Sequence, residues 1–306
     1  MAICKWLSIT TFVGLVGAAV MLLSGCGNAA GASSTAASAA QGGDKLRVAL
    51  VPSEEASEQI KRYSKVFQFM EKKLGMKLEP FLATDYSGVI EAMRAKHLDV
   101  AWYGPFSYIL ASQEAEAEAF ALPIGEKTGK TYHSYIITRA DTGIAKLEDL
   151  KGRTFTFGDP ASTSGHLIPR YILTRAGINP DSDFKSVQFS GAHDATGLAV
   201  ANGKVDAGAI WDAAYHRLIE KKLVDESKMR IVVKSDPIPE SPWAMRKDLP
   251  AELKGRIKDA LMAIPQEDPE ALKDTGYFKF EAVSDGDYDV IRETAKVLKL
   301  DIKKLK

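Results

Sequence analysis

Thr154-Phe-Thr-Phe157-Gly-Asp159-Pro-Ala-Ser162-Thr-Ser164-Gly165-His166 decides how this chain folds. Thr154 to Phe157 reads as a strand, and Gly165 to Ala176 as a helix stopped by Gly177. The same alternation runs on in both directions. Downstream, strands are predicted at Lys185–Phe189, Asp206–Ile210 and Arg230–Val233, with helices at Asp194–Ala201 and Ala213–Lys221. Upstream, Lys45–Val51 is a strand ending in Pro52-Ser53. The segment from Glu55 to Leu74 places Ile60, Tyr63, Phe67, Met70 and Leu74 at helical spacing, and Gly75 stops it. Met76–Leu82 and Asp99–Trp102 read as strands, and Tyr86–Ala95 as a helix. Tyr103-Gly104-Pro105 is a turn into a helix from Ser107 to about Glu118. Phe120–Ile124 and Tyr132–Thr138 are further strands. From Pro250 onward the tail reads as helical, best at Ile257–Ile264 and Tyr288–Leu298.

Strands alternating with helices predict an α/β protein of two lobes, with mixed, mostly parallel sheets flanked by helices. Ser235–Pro242 holds three prolines and reads as a stiff crossing segment. The predicted division is a first lobe of residues 44–138 plus 235–306 and a second of 139–234. Crossings near Thr138 and Pro237 would form a two-stranded hinge.

A short local pattern occurs in both halves. Lys96-His-Leu-Asp99-Val-Ala precedes Trp102-Tyr103, and Gly203-Lys-Val-Asp206-Ala-Gly precedes Trp211-Asp212. In each, an aspartate starts a short apolar strand and an aromatic-polar pair sits at its carboxyl edge. Ligands of open α/β sheets bind outside the carboxyl ends of strands. Two such edges facing each other would make an interlobe cleft.

The amino-terminal residues carry a different message. Lys5 precedes an apolar run from Leu7 to Leu23, which Ser24 and Gly25 close just before Cys26. That is the layout of a secretory signal, and it resembles a bacterial lipobox in which Cys26 takes the lipid. At roughly 17 residues the run is also near the minimum for a transmembrane anchor. Residues 1–26 are read as the signal. Residues 27–43, without a charge or a large apolar side chain, are read as a flexible tether. The two cysteines are Cys4 and Cys26, so the body of the chain has neither a disulfide framework nor a cysteine metal site. Lys plus Arg and Asp plus Glu both total 40, a balance that argues against nucleic acid as a partner.

The candidate ligand-binding residues cluster around Ser162, Thr163 and Ser164. Hydroxyls at a helix start, together with unpaired amides and the positive end of the dipole, make an anion cradle. Plain capping would need one of them. No lysine follows, so this is not a nucleotide P-loop. His193, at the next helix start, could donate to an anion. Asp212 stands at the predicted cleft edge, and Tyr86, Tyr103 and Tyr132 lie near strand ends. His97, His166 and His216 read as ordinary helix-surface or capping residues. A secreted serine hydrolase using Ser164 or Thr163 is the reading from another class. It lacks a Gly-x-Ser-x-Gly elbow. Metal chemistry lacks a His-Glu-x-x-His or a cysteine pair.

Taken in order, Ala83-Thr-Asp-Tyr86, Asp99-Val-Ala-Trp-Tyr-Gly-Pro105, Asp149-Leu-Lys-Gly152, Asp159-Pro-Ala-Ser-Thr-Ser-Gly165, Gly191-Ala-His-Asp194 and Val205-Asp-Ala-Gly208 are similar to a known set. The chain resembles the phosphonate/phosphite substrate-binding lipoproteins of bacterial ABC transporters, type II periplasmic binding proteins. The resemblance implies a non-enzymatic protein without cofactor or metal. It would capture a small phosphorus oxyanion and deliver it to a membrane permease, working as a monomer on a lipid anchor outside the cytoplasm. It also implies that Ser162, Thr163 and Ser164 hold the oxygens, with donors from Tyr86, Tyr132 and His193. Asp212 occupies the place of an acid that meets the ligand's ammonium group in aminoalkylphosphonate binders, and Glu240 is a candidate second acid. Trp211 beside Asp212 would shrink the pocket and favour phosphite or methylphosphonate. A carboxylate there would repel the fourth oxygen of phosphate. Sulfonate, a thiamine precursor or an aminoalkylphosphonate are the other cargoes considered, and a sensor subunit the other role.

Overall fold

The computed structural model describes residues 45–126 and 128–298. The predicted signal with Cys26, and the tether, lie outside them. The strands are β1 (Lys45–Leu50), β2 (Lys77–Phe81), β3 (Val100–Trp102), β4 (Ala117–Gly125), β5 (Thr131–Tyr132), β6 (Ser134–Arg139), β7 (Thr154–Phe157), β8 (Ser186–Phe189), β9 (Ala207–Trp211), β10 (Met229–Lys234), β11 (Ile238–Pro239), β12 (Trp243–Arg246) and β13 (Tyr277–Ala282). The helices are α1 (Ala56–Leu74), α2 (Tyr86–Arg94), α3 (Pro105–Glu114), α4 (Ile168–Arg175), α5 (Pro180–Asp183), α6 (His193–Ala201), α7 (Asp212–Glu220), α8 (Ala251–Glu267) and α9 (Asp289–Val297).

Two sheets form. The first has the order β13-β4-β12-β3-β1-β2 and the second β10-β6-β9-β7-β8. Both are built alike. One half is parallel (β3-β1-β2 and β9-β7-β8) and the other antiparallel. The two copies of the local aspartate-to-aromatic pattern become β3 and β9, which hold equivalent places where the parallel half meets the antiparallel half. The sheets are less parallel than strand–helix alternation implies. The cause is the return strands: β12 runs antiparallel to both β3 and β4, and β6 to both β9 and β10.

Local chemistry explains the elements. Glu55 caps α1 by accepting from the amides of Ser57 and Glu58. Gly75 ends it at φ 64°, the left-handed conformation that a Cβ disfavours. Tyr63, Val66, Phe67, Met70 and Leu74 are the buried face of α1. Their burial drives the docking of α1, at roughly 1.5–3 kcal/mol for each large side chain. Trp243, Tyr103, Tyr108 and Tyr288 are fully buried in the core around the first sheet. Ile136, Leu150, Phe155, Phe157 and Leu173 form a separate core beside the second.

Three features differ from the sequence reading. The strand ending near Thr138 belongs to the second sheet, so the chain leaves the first sheet between Gly125 and Ser134. Strand β12 follows the proline-rich segment and was hidden by it. Strand β13 interrupts the tail read as helical. Its Tyr277-Phe-Lys-Phe-Glu-Ala sequence has aromatic residues suited to a pleated edge, and it pairs with β4. The two crossing segments run side by side as the ribbon β5–β11, with Ile238 opposite Tyr132 and Pro239 opposite Thr131.

Candidate functional site

The carboxyl ends of β1, β3, β7 and β9 converge on a small cavity of about 20 Å³. On the scale used for buried water, one molecule needs about 10–15 Å³, so the space is tight. Val51 and Ser53 reach it from the end of β1, and Trp102 and Gly104 from the end of β3. Ser162, Thr163 and Ser164 come from the loop after β7, His193 from the start of α6, and Trp211 from the end of β9. Tyr86, Tyr132 and Ser241 complete the wall. Neither a Lys or Arg nor an Asp or Glu is among the lining residues.

The hydroxyl run is held by bonds that span the two sheets. Ser162 Oγ accepts the amide of Gly165 at 3.0 Å, which caps a single π-helical turn over Thr163–Leu167 leading into α4. Thr163 Oγ1 accepts the amide of Phe106, in α3, at 2.8 Å. Ser134 Oγ donates to the carbonyl of Ser164 at 2.6 Å. The phenol of Tyr86 lies beside the Ser162 hydroxyl, and that of Tyr132 beside those of Thr163 and Ser164. Burial pushes both phenols far above the ordinary tyrosine value, so both keep their proton and can donate.

His193 is oriented by backbone. Its amide donates to the carbonyl of Ser53 at 2.8 Å, and its Nδ1 accepts the amide of Trp211 at 3.1 Å. With Nδ1 an acceptor, the neutral ring carries its proton on Nε2. Burial lowers its pKa to about 4, so the ring is neutral near pH 7. Trp102 and Trp211 each bury an indole N–H that has no acceptor among the described residues. A buried donor left unpaired costs about 1–3 kcal/mol, and an oxyanion in the cavity is an acceptor for such donors.

Asp159 sits behind the cradle and accepts from the amides of Ala161 at 2.7 Å and Tyr86 at 3.3 Å. Burial raises its pKa to about 6, against the lowering effect of those two amides. The folded value lies above the unfolded one, so the native state holds the proton longer. The contribution is therefore fully present below pH 4 and is lost as pH rises through 6. Denaturant unfolding of wild type and Asp159→Asn from pH 4 to 7 should show this: the wild type loses up to about 3 kcal/mol relative to the variant. A pH-independent difference would contradict the assignment.

Of the residues singled out from sequence, Tyr86, Tyr132, Ser162, Thr163, Ser164 and His193 come together here. Two do not. Tyr103 is fully buried in the core, and its amide donates to the carbonyl of Pro242 at 3.0 Å. Asp212 lies off the small cavity, and its carboxylate accepts from the amides of His133 at 3.1 Å and Ala213 at 2.8 Å. It borders instead a larger open cavity of about 670 Å³ that shares Tyr132 and Trp211 with the small one. Glu240 borders the same larger cavity. It accepts from the Ser241 amide at 2.9 Å and the Tyr277 phenol at 3.3 Å, and burial raises it to about 7. Asp212 therefore does not line the small cavity from which its charge was expected to repel phosphate. His166 is also not a surface residue. It is buried between the Phe157 and Phe189 rings, with Nδ1 2.7 Å from the Pro160 carbonyl. Trp102 lies at the strand edge that the sequence placed on the cleft, whereas Ser53, Gly104 and Ser241 were not anticipated as lining residues. Ser53 was within reach of the strand-edge rule, since it lies just beyond the carboxyl end of β1, after Val51 and Pro52.

Residues 48–288 match the family model described as ABC transporter, phosphonate, periplasmic substrate-binding protein. The phosphonates-binding periplasmic protein of Escherichia coli K12 is 34% identical over 250 residues, covering 79% of this chain and 74% of the relative. The phosphate-import protein PhnD of Mycolicibacterium smegmatis is 31% identical over 277 residues, covering 83% of this chain and 86% of the relative. Among solved structures, a binding protein component of an ABC phosphonate transporter from Pseudomonas aeruginosa superposes with a TM-score of 0.78 at 28% identity, covering 83% of this chain and 86% of that one.

Proposed function

Since this chain belongs to the periplasmic substrate-binding family of phosphonate ABC transporters, we propose that its small cavity captures a compact phosphorus oxyanion, phosphite or a small alkylphosphonate, for delivery to an ABC importer. The observation that carries this reading is the ring of neutral donors. Ser162, Thr163, Ser164, Tyr86, Tyr132 and His193 meet at one small space without a cationic or acidic side chain. Such a site binds an oxyanion through aimed dipoles and a helix start rather than through charge pairing. Its small volume leaves no room for a long substituent.

Donors reach the cavity from both sheets, so a seated anion bridges them. It would favour the closed arrangement by its differential affinity for it, with the β5–β11 ribbon and its neighbours as the hinge. The protein acts by binding, without turnover. Lipidation of Cys26 would keep it at the membrane beside its permease.

Isothermal calorimetry against phosphite, methylphosphonate, 2-aminoethylphosphonate, phosphate and sulfate tests the reading. Tight binding of phosphite or methylphosphonate, with sulfate weak, is expected. The phosphate arm decides whether discrimination extends to the fourth oxygen. Silence from every phosphorus ligand would overturn the proposal.

A further inference from the structure

Beside the cavity, and outside its lining, lies a buried set of charges that the binding reading does not use. Glu54 follows Ser53 on the side of the first sheet, and Arg217 lies on α7, on the side of the second. Arg217 Nε is 3.2 Å from Glu54 Oε2, and its Nη2 closes on Glu54 Oε1. Arg62, on α1, reaches Glu54 Oε2 at 3.1 Å. Side-chain exposure is 11% for Glu54, 22% for Arg217 and 13% for Arg62. Burial pushes the Glu54 carboxyl up, but the two guanidiniums outweigh it and hold the group below its ordinary value, ionised at neutral pH.

Arg217 has a second contact. Its guanidinium stacks over the Trp211 ring at 4.6 Å. Trp211 lines the cavity, and its amide is the donor that fixes the His193 ring. Two weaker links flank the pair across the same boundary: Lys221 to Glu58 at 3.3 Å, and the Glu55 amide to Asp194 at 2.9 Å.

We propose that Arg217 is a positioning residue, which latches the two sheets over a seated anion through Glu54 and holds Trp211 and His193 against the ligand. The proposal rests on the anion-binding reading. The pair can form only when the sheets are closed, because its partners come from opposite sides. When the sheets part, both charges regain water. A buried charge pair of this kind acts on dissociation, whereas exposed rim charges act mainly on encounter.

The test uses the full chain, methylphosphonate and phosphite as probes, and stopped-flow tryptophan fluorescence. Arg217→Met keeps an apolar chain over Trp211 without the charge, and Glu54→Gln keeps the shape. Each should raise the dissociation rate about tenfold while the association rate changes less than about twofold. The double variant should be no worse than the worse single one, since both remove one interaction. Arg217→Lys, which keeps the charge, should recover part of the slow dissociation. Wild type that binds with variants whose rates are unchanged, or whose losses simply add, overturns the latch alone. A lower melting temperature without ligand, at unchanged dissociation rate, also overturns it. Wild type that binds neither probe overturns the binding reading and the latch with it.

Discussion

Replacing Ser162, Thr163 and Ser164 together by alanine, valine and alanine should abolish measurable binding of phosphite and methylphosphonate. A hydrogen bond to a charged group contributes roughly 1.5–3 kcal/mol. Three lost together weaken binding by about a thousandfold or more. The three hydroxyls differ in what else they do, which lets single variants separate binding from folding. Ser162 also caps the helix start through Gly165, so its alanine variant should lose about 1 kcal/mol of stability as well. Thr163 also accepts the Phe106 amide, and Thr163→Val leaves that buried donor unpaired. Ser164 is the gentlest probe: its backbone carbonyl, not its hydroxyl, carries the bond from Ser134, and its hydroxyl has only the Tyr132 phenol beside it. Ser164→Ala should lower affinity about ten- to hundredfold with a smaller loss of melting temperature than Ser162→Ala or Thr163→Val. Calorimetry paired with thermal melting reads both quantities. Full affinity in Ser164→Ala would remove that hydroxyl from the ligand shell.

Gly165→Ala should damage both stability and binding. A Cβ on Gly165 would stand 2.9 Å from Ser162 Oγ, 3.1 Å from Gly158 Cα and 3.1 Å from His193 Cε1. The serine hydroxyl can rotate away. The Gly158 backbone cannot, because the Gly158 amide donates to the Gly165 carbonyl at 2.8 Å. The His193 ring is held by the Trp211 amide. The added methyl therefore pushes on a backbone pair and on a cavity donor. Overpacking of this kind costs typically about 1–3 kcal/mol. In a chain of this size each kcal/mol shifts the melting temperature by about 2–4 °C. Displacement of His193 should add a loss of affinity of about tenfold. A variant with wild-type affinity would show that His193 is not placed against the ligand.

What the sequence made legible follows from how local each feature is. The Ser162–Ser164 cradle is read from one strand–loop–helix unit, because the unpaired amides of a helix start are a local property. Tyr86 and His193 also stand at helix starts and were found. Trp102 stands at a strand edge that the repeated aspartate-to-aromatic pattern placed on the cleft, and Ser53 lies near another such edge. Ser241 meets the cradle only after both sheets have assembled, and nothing in its own neighbourhood announces it. Asp212 shows the converse. Its position after β9 was read correctly, but its carboxylate is taken up by the amides of His133 and Ala213. A capping aspartate and a ligand-facing one have the same sequence. His166, at a helix start, reads from sequence as a helix-surface or capping residue. The rings of Phe157 and Phe189 bury it, and Phe189 lies on a strand 23 residues away in sequence. The antiparallel β12 went unread because its pairing with β3 and β4 is long-range, whereas the βα units around it are set by neighbours in sequence.

The most direct test of the account is a crystal structure of the protein grown with methylphosphonate. The phosphonate oxygens are expected in the small cavity, within about 3.2 Å of the Ser162, Thr163 and Ser164 hydroxyls and of donors from Tyr86, Tyr132 and His193. Phosphonate density confined to the larger cavity beside Asp212 and Glu240, or none in either, would contradict it.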